Sequence, residues 1–229
     1  MKRLGYTALV CLPLLLAGCR GENAEVNMGY EYYPAEVGSW IAYQVDSVRH
    51  FVEDFADTTH YQIKEVMESE FTDDAGRPAR RIERYFRWDE SESWRIKDVW
   101  MVVITSRKVE KVEENQRFTR LVFPVNTNQF WDGNALNPLP RWDYSYEQVG
   151  ETEVVGNIAF ESAAVVLQQG AFNLIEQEIG RETYAPGIGL VYKELREIKT
   201  DVNYQSDPTP ANIQSGYELW YRYVDHGKN

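Results

Sequence analysis

Three histidines, His50, His60 and His226, lie far apart in this chain of 229 residues, and none falls in a metal-ligand spacing or a HExxH pattern. There is no GxSxG elbow to expose a serine nucleophile. Gly187-Ile188-Gly189 lacks the third glycine and the following helix of a phosphate cradle, so a tight turn is the plainer reading. Asp132-Gly133-Asn134 offers oxygen ligands of the kind calcium takes, without the full acidic series of a calcium loop, and it too reads as a turn. Carboxylates are abundant, 36 in all, so pairs suited to acid–base work could form in space, but abundance nominates none. Asp98 is the carboxylate to inspect first, because it lies between Ile96 and Trp100 on an apolar face. Buried there it needs a partner or a raised pKa, whereas a bulge or sheet margin would leave it wet.

Two further groupings could meet a ligand. Arg77, Arg80, Arg81, Arg84 and Arg87 form a basic cluster that suits lipid headgroups, phosphosugars or an acidic partner. Facing Glu65, Glu68, Glu70, Glu90 and Glu92 on neighbouring strands, the same arginines would make ordinary cross-strand pairs, the plainer reading. The aromatic set Trp88, Trp94, Trp100, Phe130 and Trp131 could line a cavity or stack on sugars, although large aromatics on alternating strands usually form a core. Trp94, Asp98, Trp100, Phe130 and Trp131 are therefore the candidate ligand-lining residues.

The chain has two cysteines, Cys11 and Cys19. Met1-Lys2-Arg3 is a short positive region, and Tyr6 to Leu16 is an apolar run that ends in small residues, the pattern of a secretory signal and too short for a spanning helix. Leu16-Ala17-Gly18-Cys19 resembles the lipobox of bacterial lipoproteins. That resemblance implies cleavage after residue 18 and acylation of Cys19, including palmitate-type chains, on its sulfur and its new amino terminus. One acyl chain anchors only marginally, and several hold a protein on a membrane. Arg20, where an aspartate would favour retention in the inner membrane, implies the outer membrane. The side faced, periplasm or cell surface, stays open; Glu22 and Glu25 hint weakly at surface export.

Loss of residues 1–18 removes Lys2, Arg3 and Cys11, so the mature chain is more acidic than its formal net charge of −12 and keeps one cysteine. No disulfide or zinc–thiolate cluster can form within it, and broad nucleic-acid binding is disfavoured because phosphates need a positive footprint. With 15 Tyr, 9 Phe and 7 Trp among many Val, Ile and Thr, the composition favours strands.

These residues need elements to position them. Arg20 to Tyr33 is polar and reads as a flexible tether from the acylated Cys19, so that a single antiparallel β domain occupies residues 34–229. Trp40 to Val48 opens it as a strand. Phe51 to Thr59 reads as a long connection, with Val48, Phe51, Val52 and Phe55 also fitting a helical stripe. Tyr61–Met67, the Asp73-Asp74-Ala75-Gly76 turn and Arg80–Trp88 make the clearest hairpin. Ser93–Thr105 alternates, and Arg107–Glu113 pairs with Arg117–Phe123 around Glu114-Asn115. Pro124 to Pro140 has no regular patterning. Five more strands follow, Trp142–Gln148, Phe160–Gln168, Asn173–Tyr184, Leu190–Thr200 and Tyr217–Val224. Ten or eleven strands at this spacing, with one or two short helices, predict an all-β, or mainly β, fold: a curled antiparallel sheet, half-barrel or barrel. Tyr33-Pro34…Trp40 echoes Phe123-Pro124…Trp131, which fits either two similar sheet halves or unrelated turns.

Phe123-Pro124…Trp131, followed by Tyr184-Ala185-Pro186-Gly187-Ile188-Gly189-Leu190-Val191, is similar to a broad group of uncharacterised bacterial lipoproteins. Related architectures include the open half-barrels of periplasmic lipoprotein carriers, from which no binding residue transfers. The expectation is a non-enzymatic, lipid-anchored envelope protein of the outer membrane that needs no cofactor or metal. It would bind an apolar ligand or an envelope partner, or play a structural part. A surface glycan-binding lipoprotein is the alternative, and a hydrolase among the carboxylates a third reading.

Overall fold

A computed structural model describes residues 26–52, 55–201 and 212–229; the signal segment and Cys19 lie outside the described residues. Twelve strands follow one another: β1 (Ser39–Phe51), β2 (Phe55–Thr72), β3 (Pro78–Arg87), β4 (Arg95–Ile104), β5 (Lys108–Glu113), β6 (Gln116–Val122), β7 (Phe130–Asp132), β8 (Asp143–Val155), β9 (Ile158–Phe172), β10 (Glu176–Ala185), β11 (Gly189–Thr200) and β12 (Ile213–Lys228). All pairings are antiparallel, in the spatial order β6-β5-β4-β3-β2-β1-β12-β11-β10-β9-β8-β7. Two meanders thus meet where β1 pairs β12. The fold is all-β, as the strand-rich composition and turn spacing predict.

A sheet of this many twisted strands must curl, and here its two edges almost meet. Thr119 N on β6 donates to Gly133 O beyond β7 at 2.9 Å, and Trp131 Nε1 donates to Thr119 O at 2.9 Å. The Tyr146 hydroxyl on β8 accepts from Val122 N at 3.2 Å and donates to Val122 O at 2.7 Å. The edges are therefore joined by a backbone bond and by two side chains, Trp131 and Tyr146, rather than by a full ladder, and the barrel is nearly closed. Eight strands leave an interior that side chains just fill; twelve leave room.

Local chemistry explains several elements. The β2–β3 turn is held by Asp73, whose Oδ1 accepts from Ala75 N at 3.0 Å and Arg77 N at 2.8 Å while Gly76 takes φ +75°. Cross-strand pairs join Arg80 to Glu70, Arg81 to Glu68 and Arg84 to Glu65, the arrangement anticipated for the basic cluster. At one end the interior is packed solid by Tyr32, Ile82, Val102, Leu121, Phe123 and Tyr144 with their neighbours.

Three expectations change. Phe51–Thr59 is neither connection nor helix: β1 runs to Phe51 and β2 starts at Phe55, with Phe51 and Phe55 stacked at 5.7 Å. The apolar residues that mimic a helical stripe are the exposed end of a long hairpin. The tether does not run free to Tyr33. Residues 30–32 form a 3-10 turn, Val125 N donates to Met28 O at 3.0 Å, and Tyr32 is buried with its hydroxyl donating to Ser162 O at 2.6 Å. Gly29, at φ +77°, packs where a Cβ would lie 2.7 Å from Val125. Finally, the unpatterned Pro124–Pro140 stretch contains the short edge strand β7, and no α-helix occurs among the described residues.

Candidate functional site: an interior cavity with one charged wall

Beside the buried cluster of Ile82, Leu121 and Tyr144, the barrel holds a cavity of about 740 Å³ that opens to solvent. That is the size of a small-molecule site. One wall is apolar and aromatic. Tyr43 is on β1, Leu195 on β11, and Tyr217, Leu219 and Tyr221 alternate along the inner face of β12. The period of two places these residues inward and sends Glu218, Trp220 and Arg222 to the opposite face.

The opposite wall carries an unbroken chain of alternating charges. Asp98 on β4 lies 3.0 Å from Arg84 on β3, and Arg84 lies 3.1 Å from Glu65 on β2. Glu65 is 3.0 Å from Lys111 on β5, which is 3.6 Å from Glu113. Glu113 is 2.8 Å from Arg120 on β6, Arg120 is 3.4 Å from Glu182 on β10, and Glu182 is 3.3 Å from Lys193 on β11. Four carboxylates alternate with four cations. Arg84, Glu65, Lys111, Arg120 and Glu182 are all buried. The Tyr184 hydroxyl donates to Glu182 Oε2 at 2.6 Å, and Arg84 Nη2 donates to the Tyr221 hydroxyl at 2.9 Å, joining the two walls.

The electrostatics follow from this alternation. Burial opposes charge on Glu113, but Arg120, Lys111 and Lys193 outweigh it and hold the carboxyl far below its usual range. Burial likewise opposes charge on Glu182, and Arg120 and Lys193 keep its pKa low. Burial works against Lys111 and Arg84, yet Glu65 first, then Glu113 for the lysine and Tyr221 and Asp98 for the arginine, leave both pKa values raised. Burial pushes the Tyr61 phenol up to about 12 and carries those of Tyr43, Tyr184 and Tyr221 up as well. These groups keep one protonation state through neutral pH.

A chain of buried ion pairs is weak evidence for stability, because desolvation of each ion offsets the Coulombic attraction and well-packed apolar groups often do as well. Its chemical effect is on what enters the cavity: a molecule there meets hydrocarbon and phenol rings on one side and oriented charge on the other.

Of the candidate lining residues, two belong to this region. Trp100 lines the cavity, with Arg84 Cζ 3.5 Å above its ring and its Nε1 donating to Glu114 at 3.3 Å. Asp98 is the outermost member of the charge chain, held by both oxygens against Arg84 Nη1 at 3.0 Å and by Lys97 at 2.6 Å. The apolar face is interrupted there: a register shift at Lys97 pairs Asp98 with Arg84 and Ile96 with Tyr85, so Ile96 is exposed and Asp98 sits half-buried beside a bulge. Both residues also border a second hollow of about 410 Å³ with Phe71, Arg81 and Met101.

The other three stand elsewhere. Trp94 is half-buried, with Arg87 Cζ at 4.3 Å and Lys64 Nζ at 5.2 Å from its ring. Trp131 lies in the closing seam, 5.0 Å from the Tyr146 ring, and Phe130 is 75% exposed on the edge strand. Cys19 lies outside the described residues.

The sequence reading missed Glu65, Lys111, Glu113, Arg120, Glu182 and Lys193 as a set. The signal that singled out Asp98 was there for some of them: Glu65 sits between Ile63 and Met67 on one strand face, and Arg84 between Ile82 and Phe86. Asp132-Gly133-Asn134 is a turn, with Asp132 Oδ1 accepting from Asn134 N at 2.9 Å. No group of three or more metal-ligating side chains is present among the described residues.

No family model matches the chain, and no curated protein does. Among solved structures it is similar to an exported protein, so described by inference, with a YMCC-like fold from Bacteroides fragilis. The identity is 12%, over 84% of this chain and 98% of that one, with a TM-score of 0.43. It is also similar to a protein inferred to be a lipoprotein from Parabacteroides distasonis, at 10% identity over 86% of this chain and 98% of that one, with a TM-score of 0.38.

Proposed function

We propose that the protein is a lipid-anchored envelope protein whose barrel interior holds an amphipathic ligand without transforming it. The observation that carries this reading is the cavity of about 740 Å³ bounded by an apolar wall and a charged one. Three clusters of buried side chains fill much of the fold, and the cavity lies between the one around Ile82 and Leu121 and the one around Tyr43 and Leu219. An apolar ligand alone, the expectation from the sequence, would leave the charge chain facing hydrocarbon, a costly arrangement for any polar group the ligand desolvates without pairing. A ligand with a polar head satisfies both walls.

The address rests on the sequence: the apolar run, Leu16-Ala17-Gly18-Cys19 and Arg20 support acylation at Cys19 and the outer membrane. The test is native mass spectrometry of the protein purified from its own membrane. The expected spectrum shows a mass starting at an acylated Cys19 and a fraction carrying one additional small amphiphile. An unacylated chain without a bound small molecule would contradict both parts of the reading.

A further inference from the structure

We propose that the ligand is a single-chain amphiphile with an anionic head, its head received at Lys193 and its chain laid along Leu195, Leu219 and Tyr217. This rests on the interior-binding reading and specifies its chemical class.

The first argument is a count of free donors and acceptors. Five of the six carboxylate oxygens of the three central acids lie within 3.5 Å of a donor, and the sixth faces a cation at 3.6 Å. Glu65 Oε1 takes Arg84 Nε and its Oε2 takes Lys111. Glu113 Oε1 faces Lys111 and its Oε2 takes Arg120 Nη2. Glu182 Oε1 is shared by Arg120 and Lys193, while its Oε2 takes the Tyr184 hydroxyl. A cationic head entering the cavity finds these oxygens engaged. The cations are not saturated in the same way. The Lys193 ammonium has three N–H donors, and among the described residues Glu182, at 3.3 Å, is its one carboxylate within 4.0 Å. An anionic head therefore finds an unspent donor, and one backed by Arg120 across Glu182.

The second argument is charge. Six basic side chains and five acidic ones border the cavity, and Lys97 among the six is paired with Asp98, so the interior is near neutral in a chain whose formal net charge is −12. An anion is therefore repelled less inside the barrel than over the rest of the acidic molecule.

The third argument is register. Lys193 pairs with Tyr221 and Leu195 with Leu219 across β11 and β12, so successive inward positions pass from ammonium to hydrocarbon. Two residues along a strand span about 6.6 Å. A head at Lys193 thus has aliphatic wall beginning within the first few carbons of its chain.

The experiment uses the full acylated chain in detergent-free nanodiscs, stripped of bound ligand, and a neutral fluorescent probe, Nile red. Displacement is measured for dodecanoate, dodecanol and dodecylamine, each below its aggregation limit and corrected for partition into empty nanodiscs. The expected result is displacement by dodecanoate at concentrations at least tenfold lower than by the alcohol or the amine. Lys193→Met is expected to bring carboxylate and alcohol within threefold of each other. Lys199→Met, at an exposed position on the same strand, is expected to keep the preference. Equal displacement by all three, or preference for the amine, overturns the anionic assignment and leaves interior binding standing. Failure of Nile red and all three amphiphiles to bind removes the interior-binding reading itself. The wild-type comparison decides between these outcomes even if Lys193→Met does not fold.

Discussion

Arg84 on β3 and Tyr221 on β12 are separated in the sheet by β2 and β1, yet Arg84 Nη2 donates to the Tyr221 hydroxyl at 2.9 Å across the hollow of the barrel. This bond is where the charged wall meets the aromatic one. It fixes the guanidinium against Trp100, at 3.5 Å, and leaves its other nitrogens to Glu65 and Asp98. All three nitrogens of the guanidinium are engaged, with geometry that lysine cannot reproduce.

Removing the guanidinium takes one partner from each of two carboxylates, leaving Glu65 to Lys111 and Asp98 to Lys97. Arg84→Met is expected to destabilise the fold by about 3 kcal/mol, the lower end of the loss on breaking a buried ion pair. Tyr221→Phe removes one bond to a charged group and should cost about 2 kcal/mol. Chemical denaturation of the two variants and the wild type checks the order; equal losses would mean that the Arg84–Tyr221 bond, not the ion pairs, dominates.

The pH dependence has two limbs. Glu113 and Glu182 have folded pKa values below those of the unfolded chain, despite their burial, because of the cations beside them. Their contribution is complete above the unfolded value of about 4.3 and falls away as pH drops toward the folded values. On the alkaline side, burial raises Tyr61 to about 12, and burial with Glu194 raises Tyr192 to about 12. Their contribution is complete below the unfolded value of about 10 and is lost as pH rises from there toward 12. Melting temperature should therefore fall at both ends of the pH range, below about 4.3 and above about 10. Absorbance at 295 nm should show phenolate appearing together with unfolding above pH 10. A Tm that holds constant at either end would contradict this picture.

Between β6 and β8, the Tyr146 hydroxyl makes both hydrogen bonds to the backbone of Val122. Tyr146→Phe leaves Val122 N and O, which it bonds at 3.2 and 2.7 Å, without that partner. A loss of about 2 kcal/mol is expected, with faster amide exchange at Val122 than in the β1–β12 ladder. Unchanged exchange there would show that the edges are held by Thr119–Gly133 and Trp131 instead.

Alternation and turn chemistry made much of the fold legible. The β2–β3 hairpin was readable because Asp73 and Gly76 encode its turn, and β5 with β6 because Glu114 and Asn115, both at positive φ, separate two alternating runs. The β1–β2 hairpin was not, because Phe51, Val52 and Phe55 are apolar and exposed, so burial did not imprint a period of two. The charge chain was harder still. Val109, Lys111 and Glu113 share one face of β5 and Lys108, Glu110 and Val112 the other, so each face mixes a valine with charges as a solvated strand would. Alternation tells one face from the other but not inside from outside when the interior is itself charged. The pairing partners are 46 residues apart for Glu65 and Lys111, which meet across the curled β2–β5 meander, and 62 for Arg120 and Glu182, which meet where the sheet's two edges approach.

The central claim, that the barrel interior is a binding site, is tested most directly by equilibrium binding of Nile red to the wild type and to Leu219→Trp. This substitution fills the cavity from the apolar wall. The account predicts saturable one-to-one binding to the wild type and at least tenfold weaker binding to a Leu219→Trp variant that retains the wild-type near-ultraviolet circular dichroism. Equal affinity in the two proteins, or no saturable binding to the wild type, would contradict it.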